Sequence, residues 1–582
     1  MRRKLISIVL CTLLFMTVLI EKVPEKGNAQ LIEEWVARYD GPMNKRDSAV
    51  ALAVDNVGNV YVTGATDWSF NNHSTSDIAI IKYDPSGNEL WKVRYDGPGH
   101  GKDWPTDISL DPFGNIYVIG NSRTGPTRKD SADYITLKYD SNGNELWVAR
   151  YDGFVNGDDQ PHALAIDILG NVYVTGGSHG SKSSSGWGFD YNYVTIKYDS
   201  NGNELWVARY NSIGNKDEIA TSITIDPSGN IYITGYSGNR HSEMDYLTVA
   251  YDNNGNELWV AVYDGPGNNC DWASDIALDP LGNIYVTGHS RSESDPYPNG
   301  NSDYATIKYD PNGNQLWVAR YDGLLNEDDG AKAMVIDSSE NVIVTGYIQN
   351  TLGSKYDFGT IAYDSEGNEL WISIYNSPGN GWDSPEAIDV DLSGNIYVVG
   401  TSGLWTDENY TTIAYDNSGN QLWLASYDGP GNDRDIGNDI ALDIHGNVYI
   451  TGQSSGGGSD WDSLDWATIK YSHPWVRLRC NVDIDPNTLN LKSKGRWITC
   501  YIDLPGYDVN EIDISTIILE DTIPAEWGDI QNDTLMVKFD RSEVEDFIGA
   551  PFESIELTVT GELYDGTPFA GSDIIRVIEP GG

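Results

Sequence analysis

The sequence predicts an all-β chain: an eight-bladed β-propeller, its N-terminal strand closing the last blade, followed by a small β-sandwich. Three recurrences carry that expectation. Trp35, Trp91, Trp147, Trp206, Trp259, Trp317, Trp371 and Trp423 follow one another at spacings of 52 to 59 residues. A glycine ending text like IYVTG recurs at Gly64, Gly120, Gly176, Gly235, Gly288, Gly346, Gly400 and Gly452. A tyrosine ending text like TIKYD recurs at Tyr83, Tyr139, Tyr198, Tyr251, Tyr309, Tyr363, Tyr415 and Tyr471. A fixed period of this length is the mark of a repeat architecture, in which each unit buries its apolar faces against its neighbours.

Each unit reads as four short strands. In the fifth they are 275–279, 283–288, 303–310 and 314–322, rich in Ile, Val, Tyr and Thr and separated by turn residues, as strands require. Four strands per unit is the pattern of a propeller blade. Two connections are tight D-x-x-G-N turns, as in Asp279–Asn283 and Asp310–Asn314. Glycine supplies the positive φ of such a turn, and Asp hydrogen-bonds its backbone. Glu340 breaks the rule by standing where Gly is expected.

There are eight first-to-second turns but seven third-to-fourth turns. The strand around Trp35 lacks a third strand before it, and the one ending at Tyr471 runs into Pro474. The arrangement predicted is that 32–39 forms the outer strand of the last blade, beside 465–471, which removes an open sheet edge. A seven-bladed ring with one displaced unit is the alternative.

The text GNELWVARYDGPGN, DIALDPLGNIYVTG and DYATIKYDPNGN is similar to the bacterial β-propeller repeat family SBBP over residues 32–472. The family is named for seven blades, and this chain shows eight units. The resemblance implies a secreted or surface scaffold and brings no catalytic residues. From Trp475 the rhythm stops. The alternating stretches 496–504, 534–540 and 554–563 predict the sandwich. Text running from VDIDPNTLNL to CYIDLP resembles a C-terminal module of exported bacterial and archaeal proteins, which implies an Ig-like accessory domain. The expected organisation is 1–29 as a signal peptide, 30–473 as propeller and 474–582 as sandwich.

Residues 1–29 have the three parts of a secretory signal. Arg2, Arg3 and Lys4 precede the apolar run 5–20, and Gly27-Asn28-Ala29 forms the cleavage site. A retained anchor is the alternative. The expected location is therefore secreted or cell-surface. Beyond Cys11 the cysteines are Cys270, Cys480 and Cys500, an odd number that leaves at least one thiol unpaired within the chain. Cys480–Cys500 is the most local pairing, and the sequence does not choose it.

The formal net charge is −50. Such a polyanion repels phosphate backbones, so nucleic acid is excluded as a partner. The excess acid suits solubility, divalent cations or basic partners, and a solvated surface is its plainest reading. Strand direction places both kinds of tight turn on one face. The long connections then share the other, the loop face, where the second-to-third connections vary from 8 to 15 residues. Variable loops on a rigid scaffold are where binding resides.

Two residue sets on the loop face are candidate sites. Asp47, Asp103, Asp159, Glu218, Asp271, Asp329, Asp383 and Asp435 stand eight residues before each first-strand closing Asp, and Asp107, Asp275 and Asp439 add a second acid. They read either as a carboxylate ring for calcium, which oxygen ligands favour, or as one cap per blade on backbone N–H groups. Trp68, Trp187, Trp405 and Trp461 fall in second-to-third connections, and Trp104, Trp272 and Trp382 in fourth-to-first connections. They form either a saccharide or protein platform or loop packing.

No metalloprotease, hydrolase-elbow or zinc spacing is present. Most histidines read as solvated loop residues. The first functional reading is a non-catalytic exported scaffold that binds a polysaccharide or extracellular protein and requires no cofactor beyond possible calcium. The alternatives are a polysaccharide hydrolase or lyase using acids such as Asp158/Asp159 and Asp328/Asp329, or a purely architectural surface protein.

Overall fold

A computed structural model describes residues 32–578 except for short stretches, among them 69–74, 128–129, 155–156, 183–188, 213–216, 267–269, 292–300, 405–406, 457–463, 473–477, 505–508 and 549–554. The expected signal segment lies outside the described residues. Among them, no helix is long and apolar enough to cross a membrane. The chain divides after Ser472 into two compact units.

The first unit is a closed ring of eight four-stranded antiparallel sheets. Blade 1 comprises Arg46–Val54, Val60–Trp68, Asp77–Tyr83 and Glu89–Tyr95, paired in sequence order. Blades 2 to 7 begin at Asp103, Asp159, Asp217, Asp271, Asp329 and Ser384 and repeat this order. Blade 8 runs Ile436–Leu442, Val448–Ser455 and Leu464–Ser472, and its outer strand is Ile32–Tyr39. Val36 pairs with Ile469 and Tyr39 with Trp466, so the N-terminal closure is as the sequence predicts. The first strand of every blade lies against the first strand of the next, and blade 8 against blade 1, which makes the ring complete.

The repeated residues hold the blades together. In the turn Asp279–Asn283, Asp279 Oδ1 accepts from Leu281 N at 3.0 Å and Asn283 N at 2.8 Å, and its Oδ2 accepts from Asn283 Nδ2. Gly282 takes φ +82° there. Glu340, the departure from the pattern, also adopts a left-handed φ of 63°. The repeated Trp is structural: Trp259 Nε1 donates to Pro311 O of the next blade at 3.1 Å, and Trp91, Trp147 and Trp317 repeat this contact with Ser141, Ser200 and Ser365. A Cβ on Gly313 would stand 2.6 Å from the Trp259 ring, so glycine is needed there for contact as well as φ. Between blades, cores such as Tyr232, Tyr246, Ile276, Val286 and Ile307 are fully or almost fully buried.

Two differences from the sequence reading affect the loop face. First strands begin about four residues earlier than expected, and a bulge between Ala273 and Asp275 re-aims the strand start. Trp104, Trp272 and repeated acids such as Asp103 and Asp271 therefore open strands rather than sit in loops. Some variable connections are also extended hairpins: Asn239 pairs with Ser242 and Leu404 with Asp407.

The second unit has two sheets. One joins Asn481–Asp485, Trp497–Asp503, Thr534–Asp540 and Trp527–Gln531, and the other is built on Ile512–Leu519, Ile555–Leu563 and Pro568–Ile578. The alternating strands supply a core of Ile498, Val537, Phe539, Leu557, Val559 and Phe569. A short helix, Arg541–Ile548, follows the third of these strands. Cys270, Cys480 and Cys500 are buried free thiols. Burial pushes the Cys480 thiol up to about 12.

Candidate functional site

The loop-face acids are all fully buried. Each carboxylate is turned onto its own surroundings. Asp47 accepts from Gly41 N and Asp67 N, both at 2.7 Å. Asp159 accepts from Gly153 N at 2.7 Å and His179 N at 3.1 Å, and Asp271 from Gly265 N and Arg291 N at the same two distances. Asp329 accepts from Gly323 N and Gln349 N, Asp383 from Ser377 N and Gly403 N, and Asp435 from Gly429 N and Ser455 N. Asp103 takes Gly97 N, and Glu218 takes Ser212 N and Ser237 Oγ. Each acid thus ties the loop entering its blade to the end of the second strand. Burial raises these carboxyls and the hydrogen bonds only partly offset it: Asp47, Asp103, Asp159 and Asp271 are pushed up to about 6, Glu218 and Asp329 to about 7.

The second acids do a different job. Asp107 Oδ2 accepts from Leu164 N, Asp275 Oδ2 from Met334 N and Asp439 Oδ2 from Leu52 N, each on the next blade. Asp389, which the sequence reading missed because it stands two residues further along its strand, does the same with Leu442 N.

Groups that could hold a metal ion are Asp40–Asp47–Asp465, Asp77–Asp96–Asp103, Asp133–Asp152–Asp159 and Asp245–Asp264–Asp271, each with carboxylate oxygens within 4.8 Å of one another. In three of them an arginine already pairs with the third-strand acid: Arg38 with Asp465, Arg94 with Asp77 and Arg150 with Asp133.

Among the described residues, the predicted tryptophans are not brought together. Trp187, Trp405 and Trp461 lie outside the described residues, and Trp68 closes a second strand opposite Arg46. Trp272 is packed edge-to-face on His289 at 4.6 Å and donates to Met244 Sδ. Trp382 is 36% exposed and meets Tyr356, which in turn meets Tyr347. Among the described histidines His100 is exposed in a loop as expected, whereas His289 lies half-buried in a strand, where desolvation, with Arg291 and Lys332 nearby, lowers its pKa to about 4 and keeps it neutral. His179 is buried against Tyr191.

Trp104 borders a cavity. It has a volume of about 230 Å³, lies where blade 2 meets blade 3, and is lined by Lys102, Trp104, Asn121, Arg123, Ala132, Asp158 and Gln160. Strand register puts Asn121 opposite Trp104 and Arg123 opposite Ala132. Lys102 Nζ stands 4.3 Å over the Trp104 ring. Arg123 is oriented by donating from Nη1 to Asp130 O at 2.9 Å. Asp158 accepts from Ala132 N at 3.0 Å, and its own N–H donates to His179 Nδ1 at 2.8 Å. Two cations beside an aromatic ring stand out in a chain of net charge −50. The sequence showed Trp104 and Asp158. Lys102, Asn121, Arg123 and Gln160 carry no repeat signal and become visible only when two blades meet.

The SBBP beta-propeller repeat family matches residues 93–124, 149–181, 205–240, 265–294 and 429–458. The chain thus carries SBBP β-propeller repeats. It is 26% identical over 476 residues to an uncharacterized WD repeat-containing protein of Acanthamoeba polyphaga mimivirus, covering 68% of this chain and 32% of that one. The chain therefore spans about a third of the length of that curated relative. Similar solved structures include a PL25 ulvan lyase, at 12% identity and a TM-score of 0.40, covering 67% of this chain and 98% of that one. Another is rhamnogalacturonan lyase YesW, at 15% identity and a TM-score of 0.37, with coverage of 74% and 73%. At these identities the likeness is one of fold. These neighbours are enzymes, and the first functional reading, a non-catalytic binding scaffold, is corrected on that account. The reading carried forward is the polysaccharide-active alternative.

Proposed function

We propose that the chain is a polysaccharide-active enzyme that takes an acidic polysaccharide at the cavity between blades 2 and 3. The observation that carries this reading is the lining: Lys102 and Arg123 flank Trp104 on the loop face. A sugar ring stacks on the indole, and the two cations meet a carboxylate or sulfate, Arg in a planar fork and Lys as a point charge.

The cavity also separates the two chemistries open to such an enzyme. Hydrolysis of a glycoside needs two carboxyl groups across the scissile bond. Asp158 is the one carboxylate among the described lining residues. Its neighbour Asp159 faces away onto Gly153 N and His179 N. That arrangement supports elimination rather than hydrolysis. In elimination the cations offset the uronate charge and so acidify the adjacent ring proton. A base removes that proton, a carbon–carbon double bond forms as the glycosidic C–O bond breaks, and the departing oxygen takes a proton from water. Asp158 is the group placed to serve as base.

Calorimetric titration with acidic and neutral oligosaccharides of equal length tests the site. The acidic series is expected to bind, and Lys102→Ala with Arg123→Ala to weaken it at least tenfold without lowering the melting temperature. Equal affinity for neutral sugars, or for the double variant, would remove the cavity from the account.

A further inference from the structure

The face opposite the cavity carries an apolar arc that the repeat does not require. The tight turns of that face form two concentric sets, because first and second strands lie inside and third and fourth strands outside. Both sets use the same D-x-x-G-N chemistry and the same positive-φ glycine. Their exposed tips differ. The inner tips carry Val57, Phe113, Ile168, Leu169 and Leu281, exposed by 67, 71, 80, 67 and 69%. The outer tips carry Ser86, Asn142, Asn201, Asn254, Asn312, Glu366 and Ser418, with no aliphatic or aromatic side chain other than proline. Solvent-exposed turns of one geometry therefore tolerate polar residues throughout, and among the described residues the inner set departs from that on blades 1, 2, 3 and 5; the inner turns of blades 7 and 8 also carry Leu392 and Ile444 in their sequence.

The surroundings of the arc define what fits it. The outer turns open with Asp84, Asp140, Asp199, Asp252, Asp310 and Asp364, all partly exposed and held ionised, below the usual carboxylate range, by hydrogen bonds from Asn side chains and backbone. The channel mouth on this face is therefore an apolar arc inside a ring of permanent negative charge. Large apolar side chains gathered on one face within a polar rim point to an interaction surface, and complementary charge governs which partner approaches. A second copy of this chain would bring like charge to like.

The geometry points to this face as the docking surface for a basic protein partner that seats an apolar tip on the Val57–Phe113–Ile168–Leu169 arc and places cationic residues over the surrounding aspartates. It is independent of the loop-face cavity and of the reaction proposed there.

The test uses the full chain and a labelled synthetic helical peptide with a leucine face and a lysine face, read by fluorescence anisotropy. Binding is expected, weakening as salt is raised. A Phe113→Ser, Ile168→Ser, Leu169→Ser variant, which installs a residue the outer turns use, is expected to weaken it at least tenfold. Leu90→Ser with Leu146→Ser, on exposed outer strands, is expected to leave it unchanged. Should the triple variant fold poorly, Phe113→Ser alone is expected to weaken binding several-fold with an unaltered melt. Equal binding by the variants, equal binding of an all-lysine peptide, attachment to phosphatidylcholine vesicles without peptide binding, or a dimer in sedimentation that the triple variant abolishes would each overturn the assignment.

Discussion

Replacing Asp329 tests whether the buried loop-face acids are load points of the ring. Asp329 is wholly buried. Its Oδ2 accepts from Gly323 N at 2.5 Å and its Oδ1 from Gln349 N at 2.8 Å. Alanine leaves both buried N–H groups without an acceptor, at about 1–3 kcal/mol each. Relief from burying a carboxyl offsets part of this, so a net loss of about 2–4 kcal/mol is expected. Asparagine keeps the shape but turns an NH2 toward one donor, and about half that loss is expected. Urea unfolding of wild type and both variants measures it.

The pH dependence gives a second readout. Burial, the larger cause, raises the Asp329 carboxyl to about 7, and the two backbone hydrogen bonds lower it less. The folded state thus holds this proton more tightly than the unfolded chain, whose aspartates titrate near 4. Stability is greatest at low pH and falls as pH rises through 7. Wild type should be more stable at pH 5 than at pH 8, and both variants should show a flatter profile. A loss below about 0.5 kcal/mol for Asp329→Ala, the scale of ordinary surface changes, or an unchanged pH profile, would refute the capping role.

Other outcomes follow from the same geometry. Gly288→Ala puts a Cβ 1.9 Å from the Trp272 carbonyl oxygen, which is backbone and cannot yield; a loss above about 3 kcal/mol or failure to fold is expected in the urea melt. Glu340→Gly should be neutral to about 1 kcal/mol stabilising, since it relieves a left-handed φ of 63° at the cost of chain entropy. Removing residues 32–39 strips the outer strand from blade 8 and should give a large drop in melting temperature and concentration-dependent association through the exposed edge. Calcium should leave the melting temperature nearly unchanged, because the loop-face carboxylates face backbone N–H groups; a clear shift would show that a folded-state site exists.

Much of the fold is readable from the residues because each repeat signal has one physical cause. The D-x-x-G-N text is a turn in which Asp and Gly both have work to do, and Trp recurs because its indole reaches the next blade. The missing eighth outer turn foretold that Ile32–Tyr39 closes blade 8. The acids were readable as a set because every blade needs the same tie between loop and strand. What stayed hidden is what breaks the symmetry. Trp104 and Trp272 occupy equivalent strand positions, yet Trp272 is packed by His289 and Met244 while Trp104 borders a cavity. Arg123 and Lys102 are ordinary surface residues until blade 3 supplies Asp158 and Gln160 across from them. His289 departs from the solvated-loop reading given to most histidines because the second strand extends to Arg291 and half-buries it.

The measurement that tests the central claim most directly is depolymerisation. The protein is incubated with uronate-bearing, sulfated and neutral polysaccharides, and chain length is followed by size-exclusion chromatography alongside the ultraviolet absorbance of unsaturated sugar ends. The account predicts shortening of an acidic polysaccharide with new unsaturated ends, lost in Lys102→Ala/Arg123→Ala and in Asp158→Asn while the melts stay unchanged. Shortening that survives those substitutions, or acidic chains that bind at the cavity and are never cut, would contradict it.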